Sequence, residues 1–213
     1  NAGYYSMQNA CEPVHIQMNP VDNKVMVLNR TAKPAAGLTA QADIYDSASL
    51  RIAQLREKVS AGPSETKELM SLDSALREAK GVSFVVLNLR NSAGSVISRN
   101  VYWISPDRDF RSLGDLPSAG LSVAVVSEKK LNADKQWEFS IINNSDKIAF
   151  FIRPQLMSGN EEILPSFWSQ SYFTLAPGEK TAVTVSCPSA LLQGGDPILK
   201  VSGWNVEEST RGL

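Results

Sequence analysis

Lys24-Val25-Met26-Val27-Leu28 and Gly37-Leu38-Thr39-Ala40-Gln41-Ala42-Asp43-Ile44-Tyr45 decide the fold, because apolar and polar side chains roughly alternate along both. A period of two sends successive side chains to opposite faces of a strand, one onto a core and the other into water. The same reading predicts strands at 14–19, 82–89, 96–104, 121–129, 137–143, 148–156, 172–175, 181–186 and 198–203, separated by Gly, Asn, Asp, Ser and Pro. Within 50–59 and 65–80, Leu55-Arg56-Glu57-Lys58 and Ala75-Leu76-Arg77-Glu78-Ala79-Lys80 have high helix propensity among alternating neighbours. Strands are expected there too, with a short helical turn near 73–80. Asp73 would cap it through a backbone N–H, and Gly81 would end it in the left-handed conformation.

Turn residues and charge interrupt the alternation over 105–120, in Ser105-Pro106-Asp107-Arg108-Asp109-Phe110 and Asp115-Leu116-Pro117-Ser118-Ala119-Gly120. Seven expected strands precede this stretch and six follow it, each set close to the size of an immunoglobulin-like sandwich of about 100 residues. The expected fold is therefore all-β, as two tandem immunoglobulin-like β-sandwich domains at 1–106 and 121–213, joined by a linker at 107–120. No sequence repeat is evident between the halves, so their likeness is expected to be architectural.

At 213 residues, with 43% hydrophobic and 20% charged composition, the chain is long enough to bury a sizeable core. Twenty-one basic residues against 22 acidic ones leave a formal charge of −1, which argues against a nucleic-acid partner. The longest nearly apolar stretches fall far short of the roughly 20 residues of a membrane helix, so no membrane partner is expected. The N-terminus, Asn1-Ala2-Gly3-Tyr4-Tyr5, lacks a basic and apolar export segment and reads as the start of an excised piece or of a mature chain freed of its leader.

His15 is the single histidine, which excludes any site needing two imidazoles and leaves only one base for a Ser-His-Asp arrangement. Beside Gln17 and without a positioned nucleophile, it reads as a structural hydrogen-bonding group. Cys11 and Cys187 form no CxxC pair and read as two packed thiols. Asp107 and Asp109 have the spacing to share a cation, but Arg108 and Arg111 offer easier neutralisation. Glu161-Glu162 is an acidic pair near aromatic residues, yet neighbours on a strand face opposite ways and do not flank one glycosidic bond. No metal, cofactor or catalytic residue is predicted. Of the four tryptophans, Trp103 and Trp137 lie in alternating strands and are expected in the core. Trp168 and Trp204 lie nearer loops and are the candidates for contact with a carbohydrate or a neighbouring domain.

Several strings carry a resemblance. Ala10-Cys11-Glu12-Pro13-Val14-His15-Ile16-Gln17 resembles the segment that leaves the catalytic barrel of glycoside hydrolase family 2 enzymes of the β-mannosidase and exo-β-D-glucosaminidase type. Arg99-Asn100-Val101-Tyr102-Trp103-Ile104-Ser105 resembles the last strand of the immunoglobulin-like domain after the barrel. Ile148-Ala149-Phe150-Phe151-Ile152-Arg153, Glu162-Ile163-Leu164-Pro165-Ser166-Phe167-Trp168-Ser169, Leu175-Ala176-Pro177-Gly178-Glu179 and Val201-Ser202-Gly203-Trp204-Asn205 resemble the final domain. Gln170-Ser171 stand where that family commonly has Asp-Asn, and Pro154 interrupts a strand and is expected at an edge or bulge.

The resemblance implies a non-catalytic C-terminal accessory region, with 1–13 as the linker from an absent barrel, the barrel of the same parent chain as partner, and a secreted or periplasmic setting. The family's two catalytic glutamates lie on that barrel, and nothing in this sequence resembles the strand ends that carry them. A carbohydrate-binding module that stacks an oligosaccharide on Trp168 or Trp204 is the second candidate, and a cell-surface interaction segment the third.

Overall fold

The computed structural model describes residues 1–213 apart from 78, 80, 193 and 194. Contacts divide the chain into two compact units, Gly3–Leu116 and Pro117–Leu213. Among the described residues no helix is long and apolar enough to cross a membrane.

In the first unit, helix α1 (Ala2–Ala10) precedes strands β1 (Val14–Asn19), β2 (Lys24–Asn29), β3 (Ala35–Asp46), β4 (Arg51–Ala61), β5 (Thr66–Ser71), β6 (Ser83–Arg90) and β7 (Val96–Ile104), with helix α2 (Asp73–Arg77) between β5 and β6. The strands form two antiparallel sheets, ordered β1-β2-β5 and β4-β3-β6-β7. Ile16, Met18, Val25 and Val27 from one sheet form a single core with Leu38, Ala40, Ala42, Ile44, Val85, Leu87 and Leu89 from the other. The alternation that predicted β2 and β3 is the alternation of this core. β7 also satisfies the exposed side of β1: the Ile16 N–H donates to Ser98 Oγ and the Met18 N–H to the Tyr102 hydroxyl, each at 3.0 Å.

Helix α2 lies within the expected helical turn, of which residues 78 and 80 fall outside the described set. Asp73 is not its cap. Its carboxylate accepts from Asn23 Nδ2 at 2.9 Å and Arg77 Nη2 at 3.0 Å, because these side chains reach it from β2's turn and from one helical turn ahead. Gly81 does take the left-handed conformation, at φ 76°.

In the second unit, β8 (Leu121–Leu131), β9 (Asp134–Asn143), β12 (Phe167–Trp168) and β14 (Lys180–Pro188) form one sheet ordered β12-β14-β9-β8. The other is β11-β10-β15-β16, built from β10 (Ala149–Ser158), β11 (Glu161–Glu162), β15 (Ile198–Ser202) and β16 (Ser209–Gly212), with β13 (Phe173–Leu175) also paired to β10. Trp137, Phe139, Ile141, Val183 and Val185 are buried on the first sheet, and Ile152, Leu156, Leu199 and Val201 on the second. β11, β12 and β16 were not expected. Two residues carry no periodicity, and β16 reads Ser-Thr-Arg-Gly with every residue exposed. Pro154 lies where β10 is paired on one side only, between its partners β13, which reaches Ile152, and β11, which starts at Met157. Its missing N–H costs the ladder little at such a local edge.

The two units share a repeat that the sequence reading missed. Asn29, at the end of β2, donates from Nδ2 to the carbonyls of Lys33, Ala61 and Gly62, while its Oδ1 accepts from the N–H and hydroxyl of Thr31. Asn143, at the end of β9, donates to the carbonyls of Lys147, Leu175 and Ala176 and accepts from the N–H and hydroxyl of Ser145. Glu65 and Glu179 complete each knot, their carboxylates accepting from the N–H of Gly62 and of Ala176 and their carbonyls from the N–H of Asn29 and of Asn143. The matching residues are offset by a constant 114 positions.

Replacing either asparagine by alanine removes the amide donor shared by three carbonyls and the acceptor of the neighbouring Thr31 or Ser145, and each buried group left unsatisfied costs about 1–3 kcal/mol. Asn143→Ala is expected to destabilise by about 2–4 kcal/mol in denaturant titration, with the lost hydrogen-exchange protection confined to Pro117–Leu213. Asn29→Ala should do the same to the first unit alone.

Candidate functional site

Two motifs of the second unit, 148–153 and 201–205, meet around one turn. After β15 the chain reverses at Gly203-Trp204-Asn205-Val206. Asn205 Oδ1 accepts from the Phe150 N–H at 2.8 Å, and its Nδ2 donates to the carbonyls of Ile148 and Pro117 at 2.7 Å each. The Trp204 N–H donates to the Phe150 carbonyl at 2.8 Å. Glycine is needed at 203, since a Cβ there would lie 3.0 Å from that same carbonyl oxygen and 3.1 Å from the Val206 side chain. The turn is thus held rigidly against β10, with Trp204 packed on Phe150 at 6.3 Å between ring centroids and 60% exposed.

The rings continue along β10. Phe150 and Phe151 lie 5.6 Å apart, Phe151 and Tyr172 5.3 Å apart, and the Arg153 guanidinium is 5.8 Å from the Tyr172 centroid. Phe151 and Tyr172 both have positive φ, 57° and 58°, a conformation that bulky side chains rarely adopt. The pairing of β10 with β13 shifts register between Ala149 and Ile152, so a bulge re-aims Phe150 and Phe151. Arg153 Nη2 and Gln155 Nε2 both donate to Glu162 Oε2, at 2.7 and 3.0 Å.

Trp168 stands apart from this cluster. It is only 9% exposed, its ring lies 6.3 Å from that of Phe139, and its Nε1 donates to Ser166 Oγ at 3.2 Å. Pairing of β12 with β14 turns Trp168 toward the core and leaves Phe167 as the exposed ring of that segment. Trp137 is fully buried, as expected, but Trp103 is 41% exposed. Tyr102 and Ile104 take the core side of β7, and alternation on this edge strand sends Trp103 to the other face.

The other sequence candidates resolve into local structure. Glu161 and Glu162 pair with consecutive residues of β10, Ser158 and Met157, so their side chains leave opposite faces. Arg111 holds Asp109 through Nε and Nη2, and this pairing keeps the Asp109 carboxyl below its ordinary pKa. The Ser105 hydroxyl, 2.5 Å from Asp107 Oδ1, does the same for Asp107. Among the described residues no three His, Cys, Asp or Glu side chains converge on a metal position.

His15 is buried, with Nδ1 2.9 Å from Glu12 Oε2 and 3.3 Å from Ser98 Oγ. Ser98 itself donates to Glu12 at 2.5 Å and accepts from the Ile16 N–H, so serine and carboxylate compete for one ring nitrogen and the hydroxyl faces the interior. A nucleophile relay needs serine and carboxylate on different ring nitrogens. This cluster is a staple between the start of β1 and β7.

Comparison with known proteins identifies the region. Residues 100–206 match the model of the exo-beta-D-glucosaminidase Ig-fold domain, and residues 22–109 that of the mannosidase Ig/CBM-like domain. The chain belongs to the exo-beta-D-glucosaminidase Ig-fold domain family.

An exo-beta-D-glucosaminidase of Amycolatopsis orientalis is 27% identical over 233 residues, covering 99% of this chain but 23% of that protein. A mannosylglycoprotein endo-beta-mannosidase of Lilium longiflorum is 24% identical, covering 97% of this chain and 28% of its own length. The crystal structure of Amycolatopsis orientalis exo-chitosanase CsxA superposes with a TM-score of 0.90 at 24% identity, over 99% of this chain and 28% of that one, which establishes the fold. The chain therefore spans about a quarter of the length of the curated relatives it matches. Both units are immunoglobulin-like β-sandwiches, as the sequence predicted.

Within this Ig-fold family frame, Gln170 ties its loop to β14 by donating to Thr181 Oγ1 at 2.7 Å and to the Ala182 carbonyl at 2.9 Å. The cysteines differ from expectation, because both are free but only Cys187 is packed, while Cys11 is exposed just beyond α1. Burial pushes the Cys187 thiol above its ordinary pKa, with the Asp134 charge adding to the effect. A thiol reagent at neutral pH should modify one cysteine of the folded chain, Cys11, and reach Cys187 only in denaturant. Mass spectrometry of the labelled peptides checks this.

Proposed function

We propose that this chain is the non-catalytic accessory region of a glycoside hydrolase acting on β-glucosaminides or β-mannosides, and that it packs against and stabilises the catalytic barrel of the same parent. The alignment carries the reading: relatives named for those activities match nearly all of this chain with only about a quarter of their own length. Helix α1 supports the packing. It contains no charged residue, buries none of its own, and exposes Tyr4 and Met7 on one face. A short helix of this composition is marginal in water and gains stability from an apolar partner surface. A secreted or periplasmic setting, where polysaccharide substrates are met, belongs to the same proposal.

The isolated chain is expected to hydrolyse neither p-nitrophenyl β-glucosaminide nor p-nitrophenyl β-mannoside above a buffer blank, and turnover abolished by one Glu→Gln change would overturn the reading. The parent's barrel, expressed without this region, should melt several degrees lower than the intact protein, since about 1 kcal/mol shifts a melting temperature by about 2–4 °C at that size. Tyr4→Ser with Met7→Ser should reproduce part of that loss. An equally stable lone barrel would rule out the stabilising role.

Trp204 favours a second reading as a carbohydrate-binding module, because an exposed indole on a pinned turn offers a pyranose a pre-organised apolar face. Calorimetric titration with mannose-, glucosamine- and chitosan-type oligosaccharides should then give saturable heat, weakened at least roughly tenfold in folded Trp204→Ala. Silence across the panel leaves the accessory role alone.

A further inference from the structure

A cleft of about 620 Å³ opens beside the outer face of β3 and β4 in the first unit, and its lining includes Arg56, Lys58, Lys67 and Arg90 but no aspartate or glutamate. The strand register places these cations. Thr39 pairs with Lys58 on one side and Arg90 on the other, so both flank it in a single row. Gln41, two residues along on the same face, pairs with Arg56 and Asn88 to form the next row. Neighbouring strands lie about 4.8 Å apart, which separates the Lys58 and Arg90 backbones by roughly 10 Å, near one Debye length at physiological salt.

The like charges are not relieved from within. Lys67 Nζ donates to the Ser60 carbonyl at 3.1 Å and Arg90 Nη1 to the Gly94 carbonyl at 3.0 Å, both neutral acceptors. Among the described residues no ion pair includes any of the four. Half of the remaining lining is hydroxyl and amide, from Thr39, Ser60, Asn91 and Ser92, and half is glycine or aliphatic. Cations spread over two rows and several strands present an extended rather than a point-like positive charge. A hydroxylated chain bearing repeated carboxylates meets them all, each carboxylate taking a charge-assisted bond from a guanidinium or ammonium.

We propose that this cleft binds an acidic oligosaccharide of the uronic-acid type, with Arg56, Lys58 and Arg90 holding its carboxylates.

The test is calorimetric titration of the 213-residue chain with oligogalacturonate, with neutral manno-oligosaccharide and inorganic phosphate titrated in parallel. Arg56→Gln with Lys58→Gln, and Arg90→Gln separately, alter exposed or half-exposed side chains, and thermal melts verify that each variant folds. Oligogalacturonate should bind saturably and lose at least roughly tenfold in affinity in the double variant. Binding should also weaken as sodium chloride rises from about 0.05 to about 0.5 M, while the neutral oligosaccharide gives no heat. Silence with oligogalacturonate, unchanged affinity in both variants, or equal binding of the neutral sugar would overturn the proposal. Phosphate binding as tightly as the oligomer would reduce the cleft to a simple counter-ion site and overturn it as well.

Discussion

A buried asparagine amide at a strand end locks each sandwich of this protein. In the first unit β2 and β5 belong to one sheet and β3 and β4 to the other, so the chain crosses between sheets after β2 and again after β4. Asn29 sits at the first crossing and donates to carbonyls of both, Lys33 in one and Ala61 and Gly62 in the other. Asn143 does the same where β9 passes to β10 and β13 passes to β14. Backbone carbonyls at such corners still need a donor wherever the facing sheet shields them from water. One planar amide that satisfies three of them fixes the spacing of the sheets, and the apolar core then fills a gap of set width.

Asn205 applies the same chemistry to the surface. Its amide takes one N–H and two carbonyls from Phe150, Ile148 and Pro117, and this holds the Trp204 turn on β10. The backbone strain at Phe151 and Tyr172 lies in the same neighbourhood, beside the β10 bulge. Strained positions persist only where their surroundings over-determine them; here the turn bonds Phe150, the neighbour of Phe151, and the Phe151 N–H donates to Thr174 Oγ1 at 3.4 Å. The first unit presents a different surface, a cleft lined by four cations on a pleated face. Two sandwiches of one architecture thus offer solvent an aromatic edge and a basic cleft, which shows how little the shared fold dictates about contact chemistry.

The strands were legible wherever one face is buried and the other wet. Residues 14–19 and 96–104 match β1 and β7, and most other expected strands differ by only a few residues at their ends. β11 and β12 were illegible because two residues carry no period, and Trp103 was misplaced because alternation gives two faces without saying which one meets the core. Of the two tryptophans singled out as contacts, Trp204 is exposed and Trp168 lies under its own sheet. Loop proximity does not distinguish a ring above the surface from one beneath it. The internal repeat had a signal in Asn-x-Thr-x-Lys and Asn-x-Ser-x-Lys, each followed at the same distance by Pro-x-Glu. It was hidden because such residues are also ordinary turn formers.

Sequence by itself determined that this chain is all-β, that its alternation breaks over 105–120 between two sets of strands, and that it resembles the region following the barrel of a family of glycoside hydrolases. Those properties live in side-chain periodicity, turn chemistry and motif order, which are local along the chain. Tertiary structure alone decided that Glu12, His15 and Ser98 form a staple, that Arg56, Lys58, Lys67 and Arg90 line one cleft, and that Trp204 rests on Phe150. These groupings bring together residues far apart in sequence, and their partners are set by strand register and by which face the core claims. Both follow from closing two sheets over a common interior, a constraint that no single segment contains.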